Sequence, residues 1–288
     1  SRVFLIVFLL MTFCGLIFSI NQRNKKETSW ALIYAGSGVS AVLAGDLLSF
    51  FVFCEVMAIA STFLILESRD NNTSQSIKNL FLIKDKLDWI INERALKFGE
   101  GIHPKHSLTN YHDFFIDRIN NGDNVLDVGC GNGSVAISIA KKVPDSEIIG
   151  IDIDRNNIEF AKEKLKENNL KNLTFIHGDI KDQKKIKSEI VILSNILEHI
   201  ENRPLFLKNI LFISDAKTFL IRVPYFKRDW QIAFRKQLGM YYFSDLDHKI
   251  EHTIDELKYE LNEANLSIIE IITIWGEIWA KCEYGIQK

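Results

Sequence analysis

The sequence contains few cysteines, no excess of either charge and no internal repeat. None of its four cysteines belongs to a C-x-x-C pair, so neither a zinc site nor a disulfide framework is indicated. The 35 basic and 37 acidic residues give a net charge of -2, and without a basic excess no nucleic-acid partner is expected. The chain also lacks an initiating Met, which indicates a start within a longer protein. Its 288 residues allow two domains.

Apolar residues are concentrated at the beginning of the chain, where residues 3–20 and 30–66 carry very few charges. The second stretch would measure about 55 Å as one helix, too long for a hydrocarbon core of about 30 Å, so it is predicted to turn near Gly45. We therefore predict an N-terminal all-α membrane segment over residues 1–66. It contains three helices at about 2–20, 30–45 and 47–66, and it is followed by a linker at 67–76 and a second domain at 77–288.

Basic residues predict the orientation of these spans. Arg23, Lys25 and Lys26 lie between the first two spans, and Arg69 and several lysines follow the third. Because loops rich in Lys and Arg favour the cytoplasmic side, we predict a membrane protein whose second domain faces the cytoplasm.

A glycine-rich turn follows the first apolar run of the second domain. Residues 124–128 are predicted to form a buried strand with Asp127 near its end, and glycines follow at positions 129, 131 and 133. Glycine allows a ligand to approach the backbone closely, and a following helix offers free N–H groups. The ligand could be a dinucleotide or S-adenosylmethionine (SAM). A dinucleotide fingerprint needs its third glycine at position 134, which is Ser134, so the spacing does not match a dinucleotide site. Asp127 two places before the first glycine, followed by G-x-G-x-G, instead resembles motif I of the class I SAM-dependent methyltransferases.

Further apolar runs also end in polar side chains. Asp152 ends the second run, Asp179 follows the third, and Asn195 ends the fourth. These runs alternate with helical stretches at about 156–169 and 203–213, which predicts a parallel, doubly wound sheet. Ligands of such sheets bind at the carboxyl ends of the strands, so these side chains are expected to share one site.

This series of motifs resembles the class I SAM-dependent methyltransferases over residues 94–288. The resemblance implies an α/β, Rossmann-like, doubly wound and mostly parallel seven-stranded sheet, with SAM as the cofactor. It places Asp127 and Gly129 near the methionine end of SAM, Asp152 on the ribose and Asp179 at the adenine. Cys130 is most simply a small packing residue within this loop. The implied cofactor-binding residues are Asp127, Gly129, Cys130, Gly131, Gly133, Asp152, Ile153, Asp179, Ile180 and Asn195.

His199 is the candidate catalytic residue, because an imidazole of near-neutral pKa can take the proton of a hydroxyl acceptor. It could instead cap the next helix or pack on the cofactor. Some quinone-biosynthesis O-methyltransferases have a metal-binding E-x-x-E-H segment here. This chain has Asn195-Ile-Leu-Glu-His199, which lacks the first carboxylate, so no metal is predicted.

The acceptor site is predicted in the insertion after the fifth strand. Its candidate residues are Arg222, Tyr225, Arg228 and His248, and the two arginines could bind an anionic group. His248 and His252 would share one face if the segment were helical. The overall pattern, with Arg222-Val-Pro224 at the fifth strand and the tail Trp275-Gly-Glu-Ile-Trp279, resembles small-molecule methyltransferases of the type encoded with cell-surface sugar biosynthesis. That similarity implies a small-molecule acceptor, such as the hydroxyl of a sugar or surface-glycan precursor.

Residues 45–58 resemble the proton-translocating subunits of respiratory complex I and of related cation/proton antiporters. The resemblance implies that Glu55 belongs to a proton pathway and that other membrane subunits are partners. Two alternatives to an enzyme therefore stay open. One is a fragment of such a subunit fused to a passenger domain, which would be cytoplasmic if the fusion is an artefact. The other is a SAM-binding module without catalysis.

Overall fold

The computed structural model describes residues 25–44, 46–67, 73–99, 104 and 108–285. The chain divides into two compact units, Ser1–Ile90 and Ile91–Lys288. The first described elements are the helices α1 (Lys25–Leu43), α2 (Leu47–Glu67) and α3 (Thr73–Phe98). Helix α3 begins inside the segment that was predicted as a linker and crosses the boundary between the two units.

The helices α1 and α2 coincide with the second and third predicted membrane spans, whereas the first, at about 2–20, lies outside the described residues. Within the described ranges, no helix combines the length and the apolar character that crossing a membrane requires. The structure therefore does not support the membrane segment, nor the membrane location and partners inferred from it. Glu55 is an exposed residue of α2.

The second unit is built on a seven-stranded sheet with the order β3-β2-β1-β4-β5-β7-β6. Strands β1 to β5 are parallel, and β7 runs antiparallel to both β5 and β6. This order and direction confirm the predicted mostly parallel, Rossmann-like sheet, including one antiparallel closing strand. The strands are β1 (Val125–Val128), β2 (Ile148–Asp152), β3 (Leu173–His177), β4 (Ile190–Ser194), β5 (Thr218–Pro224), β6 (Leu266–Ile274) and β7 (Glu277–Tyr284).

Helices cover both faces of this sheet. They are α4 (Asp113–Ile116), α5 (Ser134–Lys142), α6 (Arg155–Asn168), α7 (Arg203–Ser214) and α9 (Ile254–Glu263). Helix α8 (Trp230–Gln237) follows β5 and has no buried residue. Side chains of β4 alternate between two apolar clusters. Ile190 and Ile192 join the cluster with α5 and α6, and Val191 and Leu193 join the cluster with α7 and α9. This alternation is expected of a strand buried on both faces.

Local signals fix where several of these helices begin. Asp154 precedes α6, and its side chain accepts a hydrogen bond from the backbone N–H of Asn156. Thr253 and Glu256 form a capping box at the start of α9, as their spacing predicts. Since β1 to β4 run in the same direction, the turns that follow them all lie at one edge of the sheet.

Candidate functional site

Two glycines of the turn after β1 lie in tight contact with neighbouring side chains. Gly129, Gly131 and Gly133 all have positive φ, of 68°, 53° and 75°. A Cβ on Gly129 would lie 2.0 Å from Cδ1 of Ile196, and one on Gly133 would lie 2.5 Å from Cζ of Phe175. A Cβ on Gly131 would meet nothing within 4 Å. The turn is therefore shaped by close packing against the turn after β4 and against β3.

Asp152, at the end of β2, ties this turn to the neighbouring strand. Its Oδ2 accepts a hydrogen bond of 2.7 Å from the N–H of Gly131, and its Oδ1 accepts one of 2.8 Å from the N–H of Asp154. A carboxylate oxygen has two lone pairs, so each oxygen can accept another donor. Asp152 is thereby held in place and still able to bind a hydroxyl-bearing ligand.

A cavity of about 400 Å³ opens at the carboxyl ends of β1 to β4. Its charged lining consists of the carboxylates of Asp152, Asp179 and Asp247 and the ammonium of Lys181, together with His199. Acidic side chains outnumber basic ones, so the cavity favours a positively charged ligand. Its lining also includes Gly129, Ile153, Asn157, Ile180, Asn195, Ile196 and Phe206.

The structure brings most of the predicted cofactor-binding residues to this cavity. Its lining contains Gly129, Asp152, Ile153, Asp179, Ile180 and Asn195. The other four lie behind or beside the lining: Asp127 within β1, and Cys130, Gly131 and Gly133 in the turn. Cys130 is buried close to Gly150, which agrees with a packing role, and burial raises the pKa of its thiol.

Two buried acceptor atoms near the cavity lack a hydrogen-bond partner among the described residues. They are Oδ2 of Asp127 and Oδ1 of Asn195. Asp127 is only 1% exposed, and burial, followed by the charge of nearby Asp152, raises the pKa of its carboxyl to about 7. A buried acceptor without a donor costs free energy, so both atoms are suited to a ligand that brings donors.

The other end of the cavity is formed by two segments that are distant in the sequence. Nδ1 of His199 lies 2.9 Å from Oδ2 of Asp247, and the rings of His199 and His248 meet edge to face with centroids 4.7 Å apart. The backbone N–H of Lys249 donates a hydrogen bond of 2.7 Å to the carbonyl oxygen of Glu198, which joins the two segments.

Glu198 is fully buried beside these histidines. Its exposed fraction is 0%, and neither carboxylate oxygen has a hydrogen-bond partner within the described ranges. Burial raises the pKa of this carboxyl to about 8. Glu198, His199 and His248 each offer one ligand atom, and these atoms lie within 4.8 Å of one another.

None of the four predicted acceptor residues, Arg222, Tyr225, Arg228 and His248, is among the residues that line the cavity. Arg222 binds the carboxylate of Glu277 through hydrogen bonds of 2.5 and 2.7 Å, and its guanidinium lies over the rings of Tyr111 and Trp279. Arg228 is paired with the buried carboxylate of Glu251. Tyr225 packs against the apolar core. Both arginines therefore already have an internal carboxylate partner.

The two histidines of the insertion point to different partners. Residues 244–252 are not helical, so the shared helix face expected for His248 and His252 does not form. His248 meets His199, whereas Nε2 of His252 lies 3.0 Å from Oε2 of Glu260 in α9. Sequence reasoning missed Asp247 and Glu251 as functional candidates. No local spacing identifies them, because their partners are far away in the sequence.

Known proteins resemble this chain in sequence over about half of its length. A family profile described as "Methyltransferase domain" matches residues 119–265. A ribosomal protein L11 methyltransferase of Thermotoga neapolitana is 33% identical over 153 aligned residues, which cover 50% of this chain and 56% of that protein. A release factor glutamine methyltransferase of Thermodesulfovibrio yellowstonii is 30% identical over 162 aligned residues, covering 50% and 57%. The chain thus spans about half the length of the curated relatives it matches.

Among solved structures, the fold is similar to that of a magnesium protoporphyrin IX methyltransferase from Synechocystis PCC 6803 with bound SAH. The TM-score is 0.51 at 18% sequence identity, and the match covers 63% of this chain and 83% of that one. At this identity the likeness concerns the fold alone. The profile match does not reach residues 45–58, so the resemblance of that stretch to antiporter subunits has no support.

Proposed function

The chain belongs to the methyltransferase domain family, and from this premise we propose that it transfers the methyl group of SAM to a hydroxyl group of a small-molecule acceptor. The cavity at the carboxyl ends of β1 to β4 carries this proposal. It is lined by the side chains that the class I methyltransferase resemblance assigns to the cofactor, and it has His199 at its other end.

The residues present fit SAM in hydrogen bonding. The free lone pairs of Asp152 suit the ribose hydroxyls, and Asp179 with Ile180 suits the adenine amino group and ring. Oδ1 of Asn195 and Oδ2 of Asp127, which have no partner among the described residues, suit the donors at the methionine end.

The cavity also fits SAM in charge. SAM carries a sulfonium and an ammonium as well as a carboxylate, and three aspartates against one lysine line the cavity. Because charges in a partly enclosed cavity are screened less than charges at the surface, this excess contributes to binding a cationic ligand. The product, after the methyl group has left, has an uncharged thioether and loses part of that attraction.

Methyl transfer from SAM mainly requires that the acceptor oxygen, the methyl carbon and the sulfur are aligned. The acceptor oxygen attacks the methyl carbon, the carbon–sulfur bond breaks with its electron pair remaining on sulfur, and the proton of the acceptor hydroxyl passes to a base, for which His199 is our candidate. A preformed site supplies the alignment. His199 lies at the end of the cavity away from the adenine side. We therefore propose that it acts on the acceptor and does not bind SAM.

A sugar or surface-glycan precursor is our proposed acceptor class, following the resemblance of the C-terminal tail. A protein acceptor is the second candidate, because relatives about one-third identical to this chain are named for ribosomal protein L11. Incubation with methyl-labelled SAM tests both, with nucleotide sugars in one arm and ribosomal protein L11 in the other. Label in the sugar arm supports the proposal, and label in the protein arm alone contradicts the acceptor class.

Calorimetric titration of SAM into the full chain tests the cofactor site. We expect a Kd in the micromolar range and a loss of at least 100-fold in Asp152→Ala. The matched control is Asp154→Ala, which removes a neighbouring carboxylate that caps α6, and we expect its Kd to stay within threefold of the original. A folded protein that does not bind SAM would refute the proposed function. SAM binding without label in any arm would favour the non-catalytic module.

A further inference from the structure

The acceptor end of the cavity contains the ligand types of a transition-metal site. Glu198, His199 and His248 supply one carboxylate and two imidazoles, and one ligand atom from each lies within 4.8 Å of the others. Around a cation with bonds of about 2.1 Å, ligand atoms lie about 3.4 Å apart, so the three side chains need to draw together by about 1 Å. Rotation about side-chain bonds covers such a distance.

Burial of Glu198 is the second, independent observation. This side chain is 0% exposed, and both of its oxygens lack a hydrogen-bond partner within the described part of the chain. A buried carboxylate is normally paired, hydrogen-bonded or bound to a metal. Arg222 and Arg228, the arginines of this region, are each engaged by another carboxylate, of Glu277 and Glu251. Among the described residues neither arginine donates a hydrogen bond to Glu198, and the charge of Arg222 acts on this carboxylate only without direct contact.

Both imidazoles have an acidic neighbour on the side of Nδ1. Nδ1 of His199 lies 2.9 Å from Oδ2 of Asp247, which is ion-pair distance, although the angles are not those of a hydrogen bond. Nδ1 of His248 lies 3.5 Å from Oγ of Ser244 and 3.7 Å from Oε1 of Glu251. Glu251 is itself fixed, because it accepts hydrogen bonds from Arg228 and from the backbone N–H of Ser244. Metal-binding histidines typically have such a partner on the second ring nitrogen, which leaves Nε2 of each ring to bind the metal.

We propose that Glu198, His199 and His248 bind a first-row divalent transition-metal cation at the acceptor end of the cavity. Two imidazoles and one carboxylate suit this class of ion better than Mg²⁺ or Ca²⁺, which prefer oxygen ligands. The sequence analysis predicts no metal because residue 195 is Asn and not Glu. The third ligand comes instead from His248, about fifty residues further along the chain.

The use of this cation rests on the proposed methyl transfer, although its binding does not. His199 also lines the cavity, so a cation bound there lies next to the space for the acceptor. It would hold a hydroxyl oxygen of the acceptor and make its proton easier to lose. In this arrangement His199 is a metal ligand and not the base. Acceptors with two neighbouring oxygens, such as vicinal diols, are the class that such a site would select.

Titration of the full chain with Co²⁺, followed by its visible absorption, tests the site without SAM or acceptor. We expect one Co²⁺ per chain, with at least 30-fold weaker binding in Glu198→Gln and in His248→Gln. The control is Asp245→Asn, which removes an exposed carboxylate from the neighbouring group of Asp245, Asp247 and His248. We expect its affinity to stay within threefold. Thermal unfolding of each variant verifies that it is folded.

The outcomes separate this proposal from the proposed function. Absence of Co²⁺ binding to the folded chain, or unchanged binding in both Glu198→Gln and His248→Gln, overturns the metal site. Loss of binding in Asp245→Asn with retention in Glu198→Gln also overturns it, in favour of the exposed group. SAM titration of the same sample is read separately. SAM binding without Co²⁺ binding refutes only the metal, and the reverse result refutes only the proposed function.

Discussion

The two ends of the cavity are built in different ways. At the cofactor end, polar side chains directly follow strands and are fixed by short-range bonds, such as Asp179 accepting from the N–H of Lys181. At the acceptor end, the partners are brought together by the packing of distant segments, as with His199 and His248. Local motif spacing therefore specifies the first end, and tertiary structure specifies the second. The two ends should therefore respond independently to mutation.

The largest expected effect comes from the ion pair beneath the acceptor end. Glu251→Gln leaves the guanidinium of Arg228 without its buried carboxylate partner, and we expect a loss of about 3–5 kcal/mol in the free energy of unfolding. Urea denaturation measures this loss. If the two ends are independent, the SAM affinity of the folded variant stays within threefold of the original.

A surface ion pair provides the control. Glu159→Gln removes the partner of Arg155 on α6, where both side chains are largely exposed. We expect less than about 0.5 kcal/mol, because solvent screens such pairs. A weakening of SAM binding by tenfold or more in folded Glu251→Gln would show that the two ends are coupled and do not respond independently to mutation.

The glycine turn should give the next largest effect. Gly133→Ala adds a Cβ at positive φ and 2.5 Å from Cζ of Phe175, whereas Gly131→Ala adds one at positive φ into open space. We expect losses in the free energy of unfolding of about 2–4 kcal/mol for the first and about 1 kcal/mol for the second. Equal losses, measured by urea denaturation, would mean that backbone strain alone and not close packing requires glycine here.

Asp127 gives an effect that depends on pH. Its pKa is about 7 in the folded protein, against an ordinary value of 3.8. The folded state therefore holds this proton more tightly than the unfolded state, and its contribution to stability falls as pH rises between these two values. We expect Asp127→Asn to gain about 2–3 kcal/mol relative to the original protein between pH 5 and pH 8.

Urea denaturation of both proteins at the two pH values measures this difference. Asp154→Asn, which changes a carboxylate at the exposed start of α6, is the control and should show no comparable trend. A constant difference between Asp127→Asn and the original protein would mean that Asp127 is ionised in the folded state across this range. Its unpartnered oxygen would then need another explanation.

The same difference between the ends explains how much could be predicted from the sequence. Strand β1 lies within the predicted residues 124–128, and Asp152 and Asp179 lie at the expected edge, because a buried strand followed by an acid is a local pattern. The family profile confirms the methyltransferase resemblance of this half of the chain. Local periodicity and turn chemistry were sufficient at this end.

Local patterns were not sufficient elsewhere. The segment 240–252 has no helical or strand period, so no local pattern predicts that Asp247 lies beside His199 or Glu251 beside Arg228. The four-residue spacing of His248 and His252 led to a wrong prediction, because this spacing places two side chains on one face only in a helix. Arg222 and Arg228 are of a residue type that commonly binds anions. In the structure, however, each is bound to a carboxylate that is more than 20 residues away in the sequence. Such partners depend on tertiary packing.

The smallest expected effect concerns Ile153 at the cofactor end. Ile153 lines the cavity although 70% of its side chain is exposed, so its truncation removes few contacts within the protein. Ile153→Ala should change the free energy of unfolding by less than about 0.5 kcal/mol.

If Ile153 packs on the bound cofactor, it is covered only in the complex. Each buried methylene is worth about 0.8 kcal/mol, so SAM binding should weaken by about 3- to 10-fold. Leu246→Ala is the matched control, because Leu246 is 86% exposed and does not line the cavity. Equal SAM affinities in the two variants would place the cofactor away from Ile153 and remove one contact from the end that the sequence specifies best.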